Sequence, residues 1–354
     1  MLSFCNTAAK FLTVTKPKHG RPTVHVLMIL VTGGAGFIGS NIAAALGERG
    51  TALALCDRLR TGNKWRNIAR LGLRDMVAPE ALPGWLDAHQ AQLEAVVHMG
   101  AISSTTETDA DLIVETNFRL SCSLWHWCAA HGKRFVYASS AATYGGGEQG
   151  FDDDPSEEAL AKLRPLNAYG WSKHLFDRWV ARALAEGRPR PPQWAGLKFF
   201  NVYGPNEYHK GGMQSVISQK YALAASGEPL TLFRSYRPDV PDGGQKRDFI
   251  YVGDCADVVL WLLDQPQVSG LFNLGTGHAR SFEDLARALL AAVGQSANIQ
   301  YVEMPEAIRP NYQYFTQASM ERLRRAGYNR PFTSLADGVK QYVTQYLSRP
   351  ERYR

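Results

Sequence analysis

The sequence predicts an α/β protein: a doubly wound parallel sheet with a smaller, mostly C-terminal α/β lobe. Three observations lead there. Short apolar runs alternate with segments of helical period along much of the chain. A glycine-rich turn stands between the first run and the first helix. The last third loses that rhythm and reads as shorter helices.

Met28 to Thr32 (MILVT) is the first apolar run, and Asn41 to Leu46 carries the first helical pattern. Leu53 to Cys56 is the second run. Ala95 to His98 (AVVH), Phe135 to Tyr137 (FVY) and Gly196 to Phe200 (GLKFF) repeat the theme, with helix-like segments between them. Loops are expected at Asp152 to Glu158, at Arg188 to Pro192 (RPRPP) and at Pro238 to Gln245 (PDVPDGGQ). Helices are expected over Ser281 to Val293 and Leu335 to Leu347.

With 45% hydrophobic and 20% charged residues in 354, the composition is that of an ordinary soluble globular protein. The pI near 9.0 suggests a nucleic-acid partner until the charges are located. Lys10, Lys16, Lys18 and Arg21 lie in residues 1–27, which hold no acid, so they account for four of the six net positive charges. The nearly neutral remainder predicts no phosphate-backbone footprint. Residues 1–27 read as a disordered basic tail without a secretory signal, and no stretch approaches a membrane span. Cys5, Cys56, Cys122, Cys128 and Cys255 are scattered, without a CxxC pair or a histidine cluster at metal spacing. Reduced cysteines, no metal and a cytoplasmic location are therefore expected.

Thr32 to Gly39 reads TGGAGFIG, with Gly33, Gly36 and Gly39 evenly spaced after a strand and before a helix. Such a turn lets backbone approach a pyrophosphate, which the helix N-terminus then faces. Asp57 ends the second run about 20 residues on, where an acid accepts ribose hydroxyls. This is the Rossmann arrangement. Asp57 favours NAD, whereas Arg58, Arg60 and Lys64 suit the 2′-phosphate of NADP or form a solvated basic loop. The dinucleotide-binding domain is expected over residues 28–200, completed by 249–277. A substrate-binding lobe takes 201–248 and 278–350.

Asn167 to Lys173 reads NAYGWSK, which puts Tyr169 and Lys173 on one face of a helix. A neighbouring ammonium favours phenolate, so the tyrosine can take or return the proton of a substrate alcohol. Ser140 lies at the end of a predicted strand, where open α/β sheets place their ligands. It either donates a hydrogen bond to the same oxygen or caps a turn.

TGGAGFIG, YASSAATYGG at Tyr137 to Gly146, YGWSK and NVYGP resemble the extended short-chain dehydrogenase/reductase family, which acts on nucleotide sugars. GAISSTT (Gly100 to Thr106), FFNVYGPNEYHK (Phe199 to Lys210), KRDFIYVGD (Lys246 to Asp254), FNLGTG (Phe272 to Gly277) and NYQYFTQ (Asn311 to Gln317) resemble the ADP-L-glycero-D-manno-heptose 6-epimerases within it. The resemblance implies hydride removal and return at C6 of ADP-D-glycero-D-manno-heptose, in lipopolysaccharide inner-core precursor synthesis. It also implies a tightly bound NADP, with NAD as alternative, and a homo-oligomer, a pentamer in the family.

Carbon 6 lies outside the pyranose ring, so rotation about C5–C6 presents the opposite ketone face without turning the sugar. The oxygen then points elsewhere, and one tyrosine cannot serve both orientations. The resemblance places a second acid/base at Lys210, in the loop NEYHKGGM; the residue alone would equally be a solvated cation or a diphosphate contact. By the same resemblance, Phe37, Ile38, Met99, Gly100, Ala101, Ser103, Asn117 and Val202 join Lys173 around the cofactor. Ser103, Ser140, Asn201, His209, Gly212, Gln219, Phe233, Arg234, Ser235, Arg247 and Tyr312 contact substrate. Arg247 grips the diphosphate or forms a salt bridge with Asp248 or another acid. Gly212 and Gln219 stand where serine and histidine would be expected, and Pro238 to Gln245 lengthens the loop before Arg247. A UDP-sugar 4-epimerase, which needs no Lys210, and a nucleotide-sensing module without turnover are the alternatives.

Overall fold

Seven strands form the main sheet: β1 (Met28–Thr32), β2 (Ala52–Cys56), β3 (Asp75–Val77), β4 (Leu93–His98), β5 (Arg134–Ser140), β6 (Trp194–Phe199) and β7 (Gly270–Leu274). All pairings are parallel, in the order β7-β6-β5-β4-β1-β2-β3. This computed structural model describes residues 12–14, 24–306, 308–309 and 312–354. Of the expected tail, Leu12–Val14 and Val24–Val26 are described and pair antiparallel; residues 1–11 and 15–23 lie outside the described residues.

The apolar runs become strands because both faces of the sheet are covered. Ile29 and Val31 enter one core, which also contains Ile42, Leu46, Val259 and Leu262 from helices Phe37–Glu48 and Val252–Asp264. Met28 and Leu30 enter the other, which contains Leu124, Trp125 and Phe176 from helices Leu120–Ala130 and Ala168–Ala185. The strand order reverses between β1 and β4, and the crevice beyond their C-terminal ends is where such sheets bind ligands.

A second body sits over that end. It comprises a sheet of Asn201–Tyr203, Lys246–Tyr251 and Ala279–Ser281, and a parallel pair, Leu230–Phe233 with Ile299–Val302. Helices Val216–Ser226, Phe282–Ala292 and Leu335–Tyr342 close around it, with Ile217, Leu285, Leu289 and Val339 in its core. The helix expected from Ser281 is fixed by a capping box, Ser281 with Asp284. The expected loop Asp152 to Glu158 ends early, because Ser156 caps a short helix over Glu157–Lys162.

Candidate active site

The glycines of the first turn are there because side chains cannot be. Gly33 has φ 63°, and a Cβ on it would lie 2.6 Å from the Gly100 nitrogen. A Cβ on Gly39 would lie 2.2 Å from the Gly33 carbonyl oxygen. The helix Phe37–Glu48 starts directly behind, with no side chain capping its N-terminus, so its free N–H groups face the cleft. Asp57 Oδ2 accepts from the Ala35 N–H at 2.9 Å, tying the end of β2 to the turn. Its Oδ1 pairs with Lys64 at 2.6 Å, while Arg58 pairs with Glu80. These residues fit the diphosphate and ribose of a dinucleotide. Gly39→Ala is expected to lower retained cofactor at least tenfold, measured as bound nucleotide released on denaturation, because the turn must open to admit the methyl.

The turn opens into a cleft of about 1210 Å³. Lining it are Gly33, Gly36, Phe37, Ile38, Gly39, Asp57, Arg58, Lys64, Met99, Gly100, Ala101 and Ser103, then Ser140, Tyr169, Lys173, Asn201, Val202, His209 and Lys210. Tyr169 and Lys173 share helix Ala168–Ala185, capped by Asn167, whose side-chain Oδ1 accepts from the Gly170 N–H at 2.8 Å. Burial raises the Tyr169 pKa, and the neighbouring Ser140 hydroxyl opposes that rise. Lys173 is 4% exposed, and burial lowers its pKa to about 8 against the pull of Asp177. Ser140 caps a turn, its hydroxyl oxygen accepting from the Ala142 N–H at 3.1 Å, and it also lines the cleft.

Lys210 comes from a separate element, the 3₁₀ segment Tyr208–Met213, which kinks at Gly211 with φ 54°. Burial lowers its pKa, with Glu207 opposing. Its Nζ lies 5.4 Å from the Phe37 ring centroid. His209 faces the cofactor end of the cleft, where its Nδ1 accepts from Asn67 Nδ2 at 3.2 Å.

The remaining expected residues sit off the cleft lining. Asn117 is fully buried and holds the Ile102 backbone through both its N–H, at 2.8 Å, and its carbonyl, at 3.0 Å. Gln219 is exposed and donates to the Gly212 and Gln214 carbonyls. Arg234 and Ser235 are tied to Asp242, at 3.1 and 2.7 Å. Phe233 packs edge-on to Tyr312, whose ring lies 5.4 Å from the Arg247 guanidinium. Arg247 is 7% exposed and pairs with no acid among the described residues. Asp248 points elsewhere, accepting from Thr276 N and Oγ1, Gly277 N and Ala318 N. That leaves an unpaired guanidinium, held by the Lys246 and Gln313 carbonyls and suited to an anion.

The profile of the NAD dependent epimerase/dehydratase family matches residues 29–275. The chain belongs to the NAD dependent epimerase/dehydratase family. Within this family, proteins named ADP-L-glycero-D-manno-heptose-6-epimerase are close in sequence. The one from Nitratidesulfovibrio vulgaris is 50% identical, over 91% of this chain and 98% of its own length. That from Fusobacterium nucleatum is 45% identical, over 92% and 100%. The epimerase/dehydratase fold is shared with the crystal structure of the Helicobacter pylori ADP-L-glycero-D-manno-heptose-6-epimerase, at TM-score 0.72 and 26% identity over 90% of this chain and 96% of that one. The Thermus thermophilus UDP-glucose 4-epimerase complex with NAD aligns at TM-score 0.69 and 28% identity, over 90% and 98%.

Several residues of this site carry no signal in local sequence. Glu207 is buried and holds Ser215, accepting from its hydroxyl at 2.7 Å. Thr32, His98 and Ser121 form a buried chain at 2.6 and 2.9 Å beneath the Gly100 turn. Gln313 and Thr316 line the cleft from the C-terminal segment. Among the described residues, no helix is long and apolar enough to cross a membrane.

Proposed function

We propose that this chain converts ADP-D-glycero-D-manno-heptose to ADP-L-glycero-D-manno-heptose at C6, using Tyr169 and Lys210 as two acid/bases. The observation that carries the reading is that both side chains line one cleft from separate elements, a helix of the sheet and a turn above it. A nicotinamide dinucleotide, when bound, supplies the acceptor and donor of hydride. Ser140 donates a hydrogen bond to the C6 oxygen, and Tyr169 accepts or returns its proton. The Lys173 ammonium favours the phenolate. Rotation about C5–C6 then carries the ketone oxygen away from Tyr169, and Lys210 exchanges the proton there. Burial, by lowering the Lys210 pKa, raises the share of free amine able to accept one.

Arg247 would take the substrate diphosphate, with Phe233 and Tyr312 beside it; Asn201 and Ser103 would contact the sugar end. His209, Gly212, Gln219, Arg234 and Ser235 complete the proposed substrate contacts. Asn117 supports the cofactor site from beneath. We take NADP as the cofactor rather than NAD, because Lys64 already neutralises Asp57 and Arg58 and Arg60 line the cleft beside it. The same reading makes the protein a cytoplasmic homo-oligomer.

The test is proton NMR of ADP-D-glycero-D-manno-heptose mixed with purified protein and no added nicotinamide. Conversion to the L-glycero epimer is expected, with NADP released on denaturation. No conversion, with NADP and NAD then supplied in turn, overturns the heptose reading; turnover of UDP-galactose instead would make the chain a 4-epimerase.

A further inference from the structure

The turn that carries Lys210 is held after the lysine by local bonds, from the Gln214 N–H to the Gly211 carbonyl at 3.2 Å and from the Gln219 side chain to the Gly212 carbonyl at 3.1 Å. The residues before it are held firmly, and much of what holds them comes from Glu351 to Arg354. Tyr353, 9% exposed, packs edge-on against Tyr208 with ring centroids 5.2 Å apart. The Tyr208 hydroxyl donates to the Arg352 carbonyl at 2.9 Å, and the Arg352 guanidinium lies 5.5 Å from the Tyr208 ring centroid. The Arg354 N–H donates to Asn206 Oδ1 at 3.0 Å.

Asn206 is fully buried and has φ 73°, a conformation that needs such support in a residue with a side chain. Its Nδ2 also donates to Ser40 Oγ at 3.0 Å, in the first helix. The segment is itself anchored to the cofactor-binding body. Arg66 stacks on the Tyr353 ring at 4.9 Å, Arg70 donates to the Tyr353 carbonyl at 3.2 Å, and Arg354 pairs with Glu48 at 3.1 Å. None of Glu351 to Arg354 lines the cleft.

We propose that Glu351 to Arg354 is a strap that positions Lys210, with Tyr353 and the Arg354 backbone holding Tyr208 and Asn206 and thereby the turn that follows. The proposal rests on reading Lys210 as the second acid/base. Tyr353 and Arg354 are positioning residues, and their effect is therefore confined to the half of the reaction that uses the lysine. Tyr169 stands on the helix Ala168–Ala185, which the strap does not touch.

The experiment compares hydride removal from the two C6 epimers, each mixed with holoenzyme carrying oxidised cofactor and followed by nicotinamide absorbance. Tyr353→Ala is expected to slow removal from one epimer about tenfold and to leave the other within about twofold. Tyr353→Phe restores it, because the edge-on packing is kept. Tyr208→Phe, which removes the hydroxyl bond to Arg352 and keeps the ring, slows the same epimer about threefold and carries the test if Tyr353→Ala does not fold. Lys210→Met, run beside them, falls further on that same epimer. If Lys210→Met is one-sided while the Tyr353 and Tyr208 variants slow both epimers alike, or neither, the strap is overturned. If Lys210→Met itself spares both epimers, the acid/base reading falls and the strap with it, a result recognisable from the lysine variant alone.

Discussion

Tyr169→Phe is expected to lower turnover about a thousandfold, the scale of a lost general acid/base. The substitution removes one oxygen and keeps the ring, so helix Ala168–Ala185 and its Asn167 cap persist. Retained cofactor and thermal midpoint should therefore match the unaltered protein, and NMR of the epimers reads the loss. The size follows from the site's composition. In the proposed mechanism Ser140 could still donate to the C6 oxygen with Tyr169 silenced, but Lys173 lies buried beneath and no other described residue stands in the tyrosine's place on that helix. Turnover within tenfold of normal would remove Tyr169 from the chemistry.

Lys198→Met is expected to destabilise the fold by about 3–5 kcal/mol, read as a shift of the denaturant midpoint. Lys198 and Asp177 form an ion pair at 2.7 Å with both side chains wholly out of solvent. Asp177 Oδ2 also accepts from Ser139 Oγ at 2.6 Å, and Lys198 donates to Thr143 Oγ1 at 2.7 Å while lying 4.9 Å from the Tyr144 ring centroid. Methionine fills the volume of the lysine stem but leaves the buried Asp177 carboxylate without its ion-pair partner. Adding Asp177→Asn should recover part of the loss, because neutralising both partners removes the stranded charge. A single variant as stable as the original protein would show that Asp177 is uncharged or hydrated there.

That ion pair also marks the limit of what the sequence can say. GLKFF reads as a strand, and Gly196 to Phe199 is one, the end of β6; its lysine looks like an outward-facing residue. The partner lies 21 positions back in the middle of a helix, and no periodicity links the two. Glu207 is similar: beside His209 and Lys210 it reads as one more loop charge, yet it is buried and bonded to Ser215. The cradle was legible because glycine spacing reports a steric demand directly. Tyr169 and Lys173 were legible because helix geometry fixes what four positions apart means. Lys210 needed the resemblance, since its chemistry depends on a cleft assembled from distant segments. Strand Asp75–Val77, short and begun by an acid, gave no apolar run to find. Arg247 offered two readings, and the one with Asp248 fails because that carboxylate is occupied by the turn Gly275–Gly277 and Ala318.

The chain passes between the two bodies repeatedly above the sheet: from β6 through Phe200 into Asn201–Tyr203, from Lys246–Tyr251 into helix Val252–Asp264, and from β7 through Gly275 to Ala279–Ser281. Two rigid blocks joined by a single tether can swing like a door. Blocks joined by these and by further crossings, where Leu323 and Tyr328 return to the first core, behave more like a seat on several legs. Rotation that relaxes one leg strains the others, so the gap between the blocks keeps its width. In the proposed mechanism, a C6 ketone that must turn its second face to the cofactor while the sugar ring stays held is best served by a chamber of constant dimensions. The freedom needed for that turn then belongs to the substrate's own C5–C6 bond, while the walls that meet each face stay where the covalent chain has put them.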